Sequence, residues 1–120
     1  METSRAQRAD ASSWAIPAAF PALDARDVHV WKIALPRKPA ALRELAALLS
    51  DDERETAGRF LVERGRARFI VCRGVVRTIL GRYLGVAPQS IRFRYHAHGK
   101  PAVAAGAGAH RLRFNVSHAD

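Results

Sequence analysis

Residues 64–84 constrain the fold of this chain most, because they form a long segment with helical periodicity. Six side chains recur at the spacing that places them on one helix face: Phe69, Cys72, Val76, Ile79, Leu80 and Tyr83. Gly85 follows directly, and glycine is the residue most often found just after the C-terminus of a helix. We therefore expect a central helix over residues 64–84, with the other elements packed against it.

Shorter elements are predicted before this helix. Residues 28–35 are β-branched and aromatic, which is typical of a strand. Residues 39–49 carry leucines at helical spacing. Ser50 and Glu53 then form a capping-box pattern for a short helix that continues to Phe60.

Two later segments alternate apolar and polar residues, which indicates strands with one buried face. They cover residues 91–95 and 111–116. A turn over residues 98–101 and a short strand at 102–103 lie between them. The order of strand, helices and strands predicts an α+β fold with an antiparallel sheet packed on the long helix.

The N-terminal residues differ in composition from the rest of the chain. Residues 1–26 are rich in Ala, Ser and Pro, so we expect a flexible tail without regular structure, followed by one folded domain over residues 27–120. Cys72 is the single cysteine and lies in the apolar pattern, which favours a core position. No apolar run has the length of a signal peptide or a membrane span, so we expect a cytoplasmic protein.

Charge is distributed unevenly along the chain, whose formal net charge is +9. Between residues 64 and 119 there is no Asp or Glu. The same stretch contains eleven basic residues: Arg64, Arg66, Arg68, Arg73, Arg77, Arg82, Arg92, Arg94, Lys100, Arg111 and Arg113. This region predicts an anionic ligand or partner, and it has no carboxylate to bind a hard cation such as Mg²⁺.

Arg68 departs from the polar stripe of the predicted long helix. On a helical wheel Arg66, Arg73 and Arg77 share that stripe and predict a solvated basic face, whereas Arg68 lies toward the apolar arc. A buried guanidinium needs an anion, and a phosphate suits its planar set of donors. The residues alone leave open a second interpretation, in which Arg68 reaches solvent or pairs with Glu63.

Two short motifs near the C-terminal end carry further candidate groups. Gly99-Lys100-Pro101 fixes the backbone of a lysine in a turn, and Phe114-Asn115-Val116-Ser117-His118 ends at a predicted strand terminus, where side chains can meet a ligand. Ser117 and His118 are adjacent on that strand and point to opposite faces, which argues against a hydrolase dyad. Taken singly, each motif also fits an exposed turn lysine or a surface histidine.

The motifs occur in one order with Ser50-Asp51-Asp52-Glu53-Arg54, Arg59-Phe60 and Leu80-Gly81-Arg82-Tyr83-Leu84-Gly85. This arrangement resembles the N-terminal half of the surfactin-type 4'-phosphopantetheinyl transferases, over about residues 28–120. The resemblance implies one of two similar α+β halves related by a pseudo-twofold axis. It also implies transfer of phosphopantetheine from coenzyme A to a serine of an acyl or peptidyl carrier protein, with Mg²⁺ at the pyrophosphate.

The resemblance further implies six coenzyme A-binding positions: Arg68, Gly99, Lys100, Pro101, Ser117 and His118. Arg68 and His118 would contact the 3'-phosphate. Lys100 with its two neighbours would line the adenine and phosphate site, and Ser117 would help to position the phosphates. The family often has lysines after the Ser50-like cap, where this chain has Glu53 and Thr56, so Arg54 and Arg59 are candidate substitutes.

The metal-binding acids of the family lie in its second half, whose sequence is not among these 120 residues. We therefore expect the chain to supply part of the coenzyme A surface, with no catalytic residue or metal ligand of its own and at most trace transferase activity. We also expect it to associate with the missing C-terminal half or with a second copy. Two alternatives stay open: a carrier-protein docking half-domain without catalysis, and a small basic nucleic-acid-binding module.

Overall fold

Helix α3, the longest element, forms the centre of the fold in the computed structural model, which describes residues 2–5, 17–36, 38–97, 99–104 and 112–118. The elements in chain order are strand β1 (Glu2–Arg5), strand β2 (His29–Lys32), helix α1 (Pro39–Ala46), helix α2 (Asp51–Gly58), helix α3 (Glu63–Leu84), a 3₁₀ turn (Pro88–Ser90), strand β3 (Phe93–Tyr95) and strand β4 (Pro101–Val103). The predicted long helix ends as expected, at a Gly85 with φ of 69°.

The strands form two antiparallel pairs, which confirms the predicted α+β fold. Strand β1 pairs with β2 in a register that sets Thr3 opposite Trp31, and β3 pairs with β4 in a register that sets Tyr95 opposite Pro101. The prediction of no regular structure before residue 27 was wrong for Glu2–Arg5. The polar sequence of β1 gave no strand signal, but the backbone groups of β2 supply it with hydrogen-bond partners.

The buried side of α3 is centred differently from the predicted face. Its buried residues are Ile70, Val71, Gly74, Arg77, Ile79, Leu80 and Gly81. Ile79 and Leu80 lie in the core as predicted, whereas Phe69, Cys72, Val76 and Tyr83 are only half-buried. The physical reason is Gly74, since a Cβ there would lie 2.9 Å from Cβ of Leu45. Helix α1 therefore packs closely against a glycine, which hydrophobic periodicity does not register.

Helix α2 begins with the predicted capping box, which the structure confirms. The Ser50 hydroxyl accepts from the backbone N–H of Glu53, and the Glu53 carboxylate accepts from the backbone N–H of Ser50 at 2.9 Å. These bonds satisfy two donors that a helix N-terminus otherwise leaves unpaired. They also hold the Glu53 side chain against the start of its own helix.

The predicted strand over residues 111–116 was wrong for the residues that the structure describes there, since residues 112–118 contain no strand. The apolar alternation persists over residues 112–115, since Leu112 and Phe114 are half-buried while Arg113 and Asn115 are exposed. The Phe114 ring packs on Phe93 with centroids 5.9 Å apart. The alternation therefore reports side-chain packing onto β3, without the backbone ladder that defines a strand.

Within the described ranges, none of the helices combines the length and the hydropathy that a membrane span requires.

Candidate functional site

A buried carboxylate, Glu53, organises the polar interior of the domain. It is 2% exposed, and its Oε1 atom accepts from Nε of Arg77 at 2.7 Å while Oε2 accepts from Nη1 of Arg73 at 2.9 Å. Burial alone would raise the pKa of this carboxyl. Hydrogen bonds from Arg77, the Ser50 backbone and Arg73 outweigh the burial and hold the pKa below its usual range. Glu53 is therefore an anion at neutral pH.

Arg77 is a buried arginine of α3, so its predicted place on the solvated stripe of the helical wheel was wrong. Arg77 is 2% exposed, and besides Glu53 its guanidinium donates to the backbone oxygens of Pro88 and Ile91 at 2.9 and 2.8 Å. Arg68 is half-buried. The anion that balances Arg77 comes from α2, and a wheel drawn for α3 alone contains no information about that neighbour.

Arg73 lies one turn before Arg77, and the structure also removes it from the predicted solvated face. Its side chain is 15% exposed. The guanidinium carbon lies 5.2 Å from the centroid of the Phe69 ring, 5.3 Å from Phe93 and 5.7 Å from Tyr95. Its Nη1 atom also donates to the Tyr95 hydroxyl at 2.6 Å. Arg73 therefore connects α2, α3 and β3.

Arg68 and His118, two of the predicted coenzyme A-binding residues, converge on Cys72. The Nδ1 atom of His118 lies 3.4 Å from Sγ of Cys72, and Arg68 precedes Cys72 by four residues on α3. Burial raises the pKa of the Cys72 thiol, and the positive charges of Arg68 and Arg73 partly oppose that rise. We call this face, defined by Arg68, Cys72 and His118, the basic face of α3. Cys72 is half-buried on it, which corrects the prediction of a core position.

The Gly99-Lys100-Pro101 motif forms the turn of the β3–β4 hairpin. Backbone hydrogen bonds join His96 N to Lys100 O at 3.0 Å and Gly99 N to His96 O at 2.8 Å. Gly99 has a φ of 80°, a left-handed conformation that favours glycine. Lys100 is exposed, and the hairpin is tied to α3 by the bond between Tyr95 and Arg73.

The structure thus brings the predicted site residues together to different extents. His118 packs against α3 at Cys72, one helical turn from Arg68, and Ser117 is exposed beside His118. Gly99, Lys100 and Pro101 lie on the hairpin and reach that helix through Tyr95 and Arg73.

The candidate substitutes for the missing lysines already have partners within the chain. Arg54 donates to the backbone oxygens of Ala46 and Ala47, both at 3.2 Å. Arg59 pairs with Glu55 at 2.7 Å. Arg54 therefore satisfies carbonyl groups at the end of α1, a role that needs no ligand.

A cleft of about 310 Å³ opens between the start of α2 and strand β3, and none of the six predicted site residues lines it. Its walls include Asp52, Arg77 and Arg92. The Ser50 hydroxyl lowers the pKa of Asp52, so this carboxylate is charged, and Arg77 is already balanced by Glu53. An anionic ligand therefore fits the basic face of α3 better than this cleft of mixed charge.

The side chains do not fit a magnesium site in the part of the chain that the structure describes. There, no group of three or more His, Cys, Asp or Glu residues lies close enough to hold a metal ion. The buried carboxylate of Glu53 is already bonded to two guanidinium groups and a backbone N–H.

Sequence reasoning missed the roles of Glu53, Arg73 and Tyr95. One signal was present, because the capping box fixes Glu53 near the backbone while leaving its second oxygen without a local partner. Arg73 and Arg77, four residues apart on α3, supply two donors that one carboxylate can accept from. The role of Tyr95 depends on how the hairpin docks, and sequence periodicity carries no signal for that.

Two comparisons with known proteins identify the same protein family. A family model described as "4'-phosphopantetheinyl transferase, N-terminal" matches residues 35–120. The 4'-phosphopantetheinyl transferase HetI of Nostoc sp. (strain PCC 7120) is 44% identical over 92 residues, which cover 77% of this chain. The matched region spans 39% of the length of that relative. No solved structure matches the chain.

Proposed function

Because the chain belongs to the 4'-phosphopantetheinyl transferase family, in its N-terminal part, we propose that it supplies the wall that binds the 3'-phosphate of coenzyme A in phosphopantetheine transfer. The observation that carries the proposal is the position of His118. Its Nδ1 atom lies 3.4 Å from Sγ of Cys72, and Cys72 follows Arg68 by one turn of α3. Both side chains therefore flank one point on α3.

In the proposed reaction, the hydroxyl oxygen of a carrier-protein serine attacks the coenzyme A phosphorus on the pantetheine side. A new P–O bond forms to serine, the pyrophosphate P–O bond breaks, and adenosine 3',5'-bisphosphate leaves. The serine hydroxyl gives up its proton to a base or to water. This chain binds and orients the nucleotide end of the substrate, away from the reacting phosphorus.

Each of the six proposed binding residues takes the role that the family resemblance implies, and its chemistry suits that role. Arg68 and His118 hold the 3'-phosphate, since a guanidinium presents a planar pair of donors to phosphate oxygens. Lys100 adds an ammonium from the hairpin turn, and the backbone at Gly99 and Pro101 shapes the adenine side of the site. Ser117 offers a hydroxyl beside His118. The stretch between residues 64 and 119 contains no Asp or Glu, and this one-sign charge supports an anionic ligand.

The test is the affinity of the chain for coenzyme A, measured by isothermal titration calorimetry. Losing a hydrogen bond to a charged group costs about 1.5–3 kcal/mol, so Arg68→Met should weaken binding about tenfold or more. Arg66→Met is the matched control, because Arg66 lies on the same helix and pairs with Glu63 at 2.8 Å. Equal loss in both variants would contradict the assignment. Failure to bind coenzyme A, with salt-sensitive binding to DNA instead, would replace the proposed function.

Contact with another polypeptide is the second part of the proposal. The acceptor is a serine on an acyl or peptidyl carrier protein. Phe60, Leu61 and Val62, between α2 and α3, are 42%, 101% and 66% exposed. Such consecutive exposed apolar residues support packing against further sequence of the kind that the longer relative contains, or against a second copy of this chain. In analytical ultracentrifugation, association that Leu61→Ser weakens would favour the second copy, and a monomer at all concentrations would exclude it.

A further inference from the structure

We propose that Arg73 is a positioning residue for the nucleotide site, held by Glu53 and holding both motif-bearing segments against α3. This inference rests on the proposed function and adds to it a residue that does not itself touch the ligand. The Nη1 atom of Arg73 donates to Oε2 of Glu53 at 2.9 Å and to the Tyr95 hydroxyl at 2.6 Å.

Glu53 fixes the position of Arg73 because the carboxylate itself has little freedom. It is 2% exposed, and its other oxygen is bonded to the backbone of Ser50 and to Arg77. Arg77 in turn is anchored by two backbone oxygens. The guanidinium of Arg73 is therefore bonded to a carboxylate whose own position is fixed by other hydrogen bonds.

The first segment that Arg73 holds is the β3–β4 hairpin. Tyr95 lies directly opposite Pro101 in the strand register, so a bond to the Tyr95 hydroxyl acts one residue from Lys100. The strand pair is short, with three residues in each strand, and two-stranded hairpins of this kind are marginal without outside support. The bond to Arg73 supplies that support at the end of the hairpin that carries the turn.

The second segment is residues 112–118, which carries Ser117 and His118. Arg73 lies 5.3 Å from the centroid of the Phe93 ring, and Phe93 packs on Phe114. At the other end of the segment, His118 contacts Cys72, the residue before Arg73 on α3. Residues 112–118 have no backbone ladder, and these side-chain contacts help to hold them against α3 and β3. Arg73 is thus the point on α3 where both motifs are supported.

The test uses Tyr95→Phe, which removes the hydroxyl that accepts from Arg73 and leaves the ring. Tyr83→Phe is the matched control, since the Tyr83 hydroxyl contacts His29 and Trp31 rather than the hairpin. Hydrogen exchange reports on the hairpin directly through the amides of His96, Gly99 and Ala104, which form its backbone bonds. We expect Tyr95→Phe to speed exchange at these amides about tenfold, with α3 amides unchanged.

Coenzyme A affinity, measured on the same proteins, connects the hairpin to the site. We expect Tyr95→Phe and Arg73→Met each to weaken binding about tenfold, and the double variant to lose little more than either single variant. Tyr83→Phe should bind like the unmodified chain. Unchanged hairpin exchange in Tyr95→Phe would overturn the positioning role whatever the affinity. Faster exchange with unchanged affinity would overturn the connection to the site.

The two proposals fail in different ways. If the unmodified chain does not bind coenzyme A, the proposed function is wrong and the role of Arg73 in a nucleotide site falls with it. The hairpin contact is then judged by exchange alone. If the unmodified chain binds and Arg68→Met weakens binding while Tyr95→Phe and Arg73→Met do not, the site stands and Arg73 is not its positioning residue.

Discussion

Replacing Glu53 by alanine tests whether this single carboxylate holds the interior of the domain together. The variant leaves Arg77, which is 2% exposed, without its anionic partner and removes one of the two hydrogen bonds made by Arg73. Removing one partner from a buried ion pair costs about 3–5 kcal/mol. Single domains unfold with about 5–15 kcal/mol in total, so Glu53→Ala should lose a large share of the stability.

The assay is urea unfolding followed by circular dichroism at neutral pH. With a urea dependence of about 1.5 kcal/mol per molar, a loss of 3 kcal/mol lowers the unfolding midpoint by about 2 M. Glu55→Ala is the matched control, because Glu55 lies on the same helix in an ion pair whose side chains are 73% and 68% exposed. Exposed pairs contribute about 0–1 kcal/mol, so its midpoint should barely move. Equal midpoints for the two variants would refute the role of Glu53.

Three further outcomes are expected. The pKa of Glu53 is lowered in the folded state, so its contribution to stability is present above the unfolded pKa of about 4.3 and is lost as pH falls through the folded pKa. The difference in urea midpoint between the unmodified chain and Glu53→Gln should therefore shrink below that pH. A difference that stays constant with pH would contradict this. Gly74→Ala should lower the melting temperature, because its Cβ meets Leu45 at 2.9 Å and such overpacking costs about 1–3 kcal/mol, whereas Gly58→Ala, with nothing within 4 Å, should not. These 120 residues should give no more than trace phosphopantetheinyl mass gain on an apo carrier protein with coenzyme A and Mg²⁺, and a rate near that of a longer relative would disprove this.

The helices were predictable from sequence because their signals are local. The apolar spacing before Gly85 and the Ser50–Glu53 capping box depend only on residues within one or two turns. The centre of the buried face of α3 was not predictable in the same way. Gly74 has no side chain and Arg77 is charged, so a hydrophobicity pattern predicts neither of them to be buried. Both are buried because α1 packs on Gly74 and Glu53 pairs with Arg77.

The six candidate site residues came from the family resemblance and stay a prediction, whereas the contacts that support them did not follow from the sequence. The motifs around Lys100 and His118 suggested an anion site. His118 lies beside Cys72, which is one helical turn from Arg68, and this position is consistent with a site that contains both His118 and Arg68. Arg77 was predicted to lie on a solvated face, and its burial did not follow from α3 alone because its partner Glu53 lies on another helix. Tyr95 and Arg73 meet across 22 residues, and a contact of that kind follows from the docking of the hairpin rather than from any local pattern.

The most direct test of the account compares coenzyme A with 3'-dephospho-coenzyme A as ligands of the unmodified chain in one calorimetric series. The two molecules differ only in the phosphate that Arg68 and His118 are proposed to hold. We expect coenzyme A to bind about tenfold more tightly or better, since that phosphate makes charge-assisted hydrogen bonds. Equal affinity for the two ligands would contradict the proposed 3'-phosphate site.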